Sequence, residues 1–115
     1  MAVGEYKELS NGWSDVRAMV LLHSTLYVMS GATLYRVHRA TGEYEEMRGT
    51  WNALAMAVAK GKLYVFDKEG GLYRVDPASG EYTEISTGWG ETTAAFAVGD
   101  ELFATAAEVL YRIEI

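Results

Sequence analysis

The sequence predicts an all-β fold of antiparallel sheets, each built from four short strands. Three observations carry that expectation. Motifs recur every 38 residues along the 115-residue chain: Gly4, Gly42 and Gly80 open GEY segments, Trp13, Trp51 and Trp89 follow them, and Leu34, Leu72 and Leu110 open LYRV, LYRV and LYRI. Between these marks lie short runs rich in aromatic and β-branched residues, divided by turns that contain Gly. No stretch carries the apolar period of an amphipathic helix.

Each unit reads as four strands in a fixed order. The first is apolar on both faces, AMVLL from Ala18, AMAVA from Ala55 and AAFAV from Ala94, as expected of a strand covered on both sides. A two-residue turn follows at His23-Ser24, Lys60-Gly61 and Gly99-Asp100, which suits a tight hairpin. The second strand is LYVM, LYVF or LFAT, and the third is LYRV, LYRV or LYRI. Turns such as HRATG and DPASG lead to a fourth strand, EYEEM or EYTEI, whose counterpart EYKEL stands at the N-terminus.

Apolar content falls from the first strand to the fourth, the gradient of a sheet with one covered edge and one wet edge guarded by Glu and Lys. Four strands in 38 residues match one blade of a β-propeller. The segment Leu63 to Ile85, LYVFDKEGGLYRVDPASGEYTEI, resembles a blade of kelch-type and quinoprotein-type β-propellers in its LYV strand, Gly-rich turn and Y…DP…G…aromatic hairpin. The double Gly that kelch blades place directly after the second strand is delayed in FDKEGG and missing from MSGA and TAAE. The resemblance implies a propeller fold and is nearly silent on activity, because this scaffold hosts many functions.

The expected organisation is one domain over 1–115. Residues 1–12 form an outer strand, 13–50 the first blade, 51–88 the second, and 89–115 a third blade lacking its outer strand. The 114 residues after Met1 are three whole repeats cut inside a blade, so the two ends are phased to meet. Propellers typically have about four to eight blades, so three do not close a ring. Two chains joined head to tail make six, each N-terminal strand completing the partner's last blade. The expected partner is therefore a second copy, with a nine-bladed trimer ranked below the dimer. Glu5, Tyr6, Leu9, Leu110, Arg112 and Ile113 are the expected interface residues. Arg36, Arg74 and Arg112 recur with Glu43, Glu81 and Glu5, and are read as one ion pair per blade, the last crossing the seam.

A net charge of −6 with ten scattered basic residues offers no phosphate-binding surface, so nucleic acid is not expected as a partner. The longest apolar runs are too short to span a bilayer, and no signal peptide is visible, which leaves the cytoplasm as the default compartment. Without cysteine there is neither a disulfide framework nor thiolate chemistry.

The connections that vary in length run from strand four to strand one and from strand two to strand three, on one face of the disc. Loops there carry binding while the scaffold holds still. The candidate ligand-binding residues are Trp13, Asp15, Trp51, Asn52, Asp67, Glu69, Trp89 and Glu91, with Asn11, Gly12, Ser14, Lys68 and Gly90 beside them. One Trp per blade suits sugar stacking as in propeller lectins; the competing and favoured reading is that each Trp packs between blades. Asp15, Asp67, Glu69 and Glu91 converging on this face would favour a cationic ligand. His23 and His38 are expected far apart and solvated, and no Ser-His-Asp elbow or phosphate-cradling loop is present. The reading is thus a non-enzymatic, self-assembling binding module for a glycan or peptide, with no cofactor and no metal. A pure scaffold, natural or engineered, is the alternative, and an enzyme with a central-tunnel site ranks third.

Overall fold

The computed structural model describes residues 2–115; Met1, the first residue of the expected outer strand, lies outside them. The described residues form eleven strands and no helix. The first sheet contains β1 (Val16–Leu22), β2 (Thr25–Ser30), β3 (Thr33–His38) and β4 (Tyr44–Glu46). The second contains β5 (Ala53–Ala59), β6 (Lys62–Asp67), β7 (Leu72–Val75) and β8 (Tyr82–Ser86). The third has three strands, β9 (Thr92–Val98), β10 (Glu101–Ala106) and β11 (Val109–Ile113). Each sheet is an antiparallel meander in chain order.

Local chemistry explains the hairpins. His23 and Ser24 both have positive φ, 50° and 72°, as do Lys60 and Gly61, which gives the primed turns whose twist matches the strands they join. The β3–β4 and β7–β8 connections share one geometry. In each, a backbone N–H at the end of the third strand donates across the loop (His38 to Glu43 O, Asp76 to Glu81 O, both 2.8 Å), and the Gly ahead of the fourth strand donates back. Asp76 Oδ1 also accepts from the N–H groups of Ala78 and Ser79, and these bonds hold its carboxyl below the usual range, with help from Lys62.

The three sheets stack through their first strands, with β5 in the middle. Two apolar clusters form there. One joins the first sheet to the second around Met29, Leu34, Met56, Leu63 and Val65. The other joins the second sheet to the third around Ala57, Phe66, Leu72, Leu102 and Ala104. Of the three first strands, only β5 is covered on both faces. Met19 of β1 is 62% exposed whereas its counterpart Met56 is 6% exposed, and Phe96 and Val98 of β9 also face outward. The alternating positions explain this: β1 turns Met19 and Leu21 outward, and β9 turns out the opposite set, Ala94, Phe96 and Val98. The stack therefore has two open ends of opposite character, both apolar.

The structure corrects two expectations. The ion pairs within the sheets are not Arg36–Glu43 and Arg74–Glu81. The five-residue loop places Glu45 opposite Arg36, and these two bond; Arg74 faces Thr83, and Arg112 lies 3.7 Å from Glu101. The histidines are not at remote positions. His38 pairs with Thr25 across the β2–β3 ladder, so it shares one end of the first sheet with the turn that carries His23. Residues 2–15, which include Glu5, Tyr6 and Leu9, form no strand within the single chain.

Candidate functional site

The two kinds of variable connection do lie side by side. Within a sheet, the N–H of Lys68 donates to Asn52 O at 2.8 Å, and the N–H of Gly31 donates to Asp15 O at 2.9 Å. Between sheets, the N–H of Trp51 donates to Ala32 O and that of Trp89 to Gly70 O, each at 2.9 Å. The connections into β5 and β9 are therefore pinned to the turn between strands two and three of the preceding sheet.

The tryptophans follow one plan. Trp51 meets Tyr73 and Tyr82 edge-on with centroids 5.3 and 5.0 Å away, and Trp13 meets Tyr35 and Tyr44 at 5.3 and 5.1 Å. Trp89 meets Tyr111 at 5.3 Å and Phe66 at 5.5 Å, with no second tyrosine. Such edge-to-face contacts add to the burial of large rings. Trp51 is 5% exposed and offers no ring face to a sugar. Trp13 and Trp89 are half-buried, and their Nε1–H groups donate to Ser10 Oγ and Ser86 Oγ at 3.0 Å. Packing accounts for all three.

The acidic candidates separate by role. Asp67 is buried; its two oxygens accept from the N–H groups of Asn52 and Glu69, both at 3.0 Å, so it braces the loops. Asp15 is exposed and pairs with Arg17 at 2.9 Å. Glu69, Trp89 and Glu91 line one open groove of about 630 Å³ with Glu84, Thr87 and Tyr111, between the second and third sheets. Burial and the carboxylates of Glu84 and Asp67 push the Tyr73 phenol above its ordinary value. Among the described residues no three His, Asp or Glu side chains gather at metal-binding distance, so Asp15, Asp67, Glu69 and Glu91 form no metal-ligand cluster within one chain. No helix is long and apolar enough to cross a membrane.

Sequence reasoning missed the second role of Arg36. Its guanidinium reaches across to the second sheet and donates to Pro77 O at 2.7 Å and Ala78 O at 3.0 Å, so it clamps two sheets together. The fixed loop length around DPASG was the available signal. Of the interface candidates, Tyr6 and Leu110 are exposed, while Leu9 lies against Gly42 and Ile113 packs onto the second cluster.

No protein-family model and no curated protein matches the chain. Among solved structures, the chain is similar to PorZ, a surface component of the type-IX secretion system of Porphyromonas gingivalis, with a TM-score of 0.67 and 17% identity over 85% of this chain and 14% of that one. It is also similar to the extracellular domain of BT4673 from B. thetaiotaomicron, with a TM-score of 0.65 and 15% identity over 97% and 16% of the two chains. The chain thus spans about a seventh of either structure. The computationally designed Ika4 protein has a TM-score of 0.55 and 12% identity over 96% of this chain and 99% of its own. At these identities the likeness is one of fold: an all-β chain of antiparallel four-stranded units.

Proposed function

We propose that the chain is half of a six-bladed β-propeller, closed by a second copy, and that it acts as a non-enzymatic binding module. Its three sheets are the blades. The observation that carries this reading is the pair of apolar end faces on β1 and β9, set against the two-sided burial of β5. Soluble chains rarely leave such patches open. Two chains cover all four faces within the usual range of blade number.

The ligand meets the face formed by the variable connections. There Asn52, Lys68, Glu69 and Glu91 are exposed, while Trp51 and Asp67 are committed to the scaffold. Polar side chains with two carboxylates against one lysine, and no free aromatic platform, favour a peptide bearing Lys or Arg over a glycan. The test is a peptide and glycan array read against the chain and its Glu69→Gln/Glu91→Gln double variant. Basic peptides are expected to bind the former about tenfold tighter, in keeping with one lost charge-assisted contact. Binding to neither library supports the scaffold reading, and a glycan signal untouched by the double variant removes the acidic site.

A further inference from the structure

We infer that a second copy of this chain docks by completing, residue for residue, the contacts already made between neighbouring sheets, with Leu110 as the inserted side chain and Tyr6 as the missing ring. This rests on the two-chain ring proposed above and names its seam.

Apolar packing gives the first argument. In the first cluster Leu34, 0% exposed, sits among Met47, Met56, Leu63, Val65 and Val75. In the second, Leu72, also 0% exposed, sits among the counterparts Ile85, Ala95, Leu102, Ala104 and Ile113. The third leucine of the series, Leu110, is 70% exposed. The third set of receiving residues is Leu9, Met19, Leu26, Val28 and Val37. These five line one open apolar hollow of about 460 Å³ on the outer face of the first sheet. Knob and socket are both present, at opposite ends of one chain, and a head-to-tail contact joins them.

The aromatic series gives an independent argument. Two Trp–Tyr–Tyr groups are complete, and the third holds only Trp89 and Tyr111. The absent ring belongs to the fourth strand, and the GEY series places Tyr6 in that position. Tyr6 is 94% exposed, and the groove beside Trp89 and Tyr111 is open. Backbone bonds repeat the pattern. Trp51 donates to Ala32 and Trp89 to Gly70, so Trp13 of one chain donates to Glu108 O of the other.

One position in the seam is mismatched. The first sheet sets Arg36 opposite Glu45, and the second sets Arg74 opposite Thr83. The same register sets Lys7 opposite Arg112, and like charges directly opposite one another weaken a strand pair. That defect fixes the register in a testable way.

The test is sedimentation of the full chain over a range of concentrations, beside Leu110→Asp, Tyr6→Ala, Tyr6→Phe and Lys7→Glu. All three sites are exposed in the single chain, and circular dichroism checks that each variant keeps its strands. The expected result is a two-chain mass for the parent, a one-chain mass for Leu110→Asp, and association at least tenfold weaker for Tyr6→Ala. Tyr6→Phe is expected to retain association, and Lys7→Glu to tighten it severalfold. A two-chain parent whose association ignores Leu110→Asp and Tyr6→Ala overturns this seam and leaves the ring standing. Weaker association of Lys7→Glu overturns the register. A parent that stays at one-chain mass, or grows without limit as concentration rises, overturns the ring itself.

Discussion

Trp51 shows how far one residue can depart from its repeat. Its indole is buried, and Nε1–H has no acceptor among the described residues, whereas Trp13 and Trp89 donate to Ser10 and Ser86. The difference lies at one position: Arg48 stands where the other two copies have Ser. A buried donor without a partner costs stability, and a hydrogen bond restored there contributes about 1 kcal/mol. Arg48→Ser is therefore expected to be more stable than Arg48→Ala by about that amount, read from urea unfolding midpoints. The alanine variant isolates the hydroxyl, because both changes remove the Arg48 stem that packs beside Gly80. Equal midpoints would show that the serine does not reach the indole.

Strands and tight turns were legible because each has a local cause. The LYVF run sets Leu63 and Val65 in one cluster and Tyr64 and Phe66 in the other, and the turns at His23-Ser24 and Lys60-Gly61 fell where the pattern breaks, both residues of each adopting positive φ. The register of β3 with β4 was not legible. It depends on how a five-residue loop closes, and the Thr41 and Ser79 hydroxyls that accept from Glu43 N–H and Glu81 N–H shape that loop through contacts no spacing reveals. The misplaced Arg–Glu pairs follow from that gap. So does Asp67, which read as a loop ligand until its oxygens were seen to accept from two backbone N–H groups. The DPASG turn carries a pH prediction. Asp76 is held ionised by the N–H groups of Ala78 and Ser79, so its folded pKa lies below its unfolded one. Its contribution is present above about pH 4 and is lost as pH falls through the lower folded value. Chemical denaturation at pH 7 and below pH 4 is expected to show a smaller acid loss in Asp76→Asn than in the parent. An identical loss would place the acid sensitivity elsewhere.

At the scale of the molecule, the repeat is a one-dimensional design that needs neighbours on both sides. The middle sheet has them and is buried; the outer two have one each and expose Met19, Leu21, Phe96 and Val98. Internal period and strand order alone were enough to foresee the stack. Which faces stay open, and that Leu9 borders an apolar hollow while Leu110 projects, depends on how the sheets pack, because sequence spacing does not tell which of two β faces meets a neighbour. In the proposed ring, the polar connections on one face are left for a ligand and the apolar ends for the second copy. The most direct check on this account is the mass of the unmodified chain by sedimentation equilibrium at micromolar concentration. A single species at twice 12.7 kDa is the predicted result, and a species at 12.7 kDa across the whole range would contradict it.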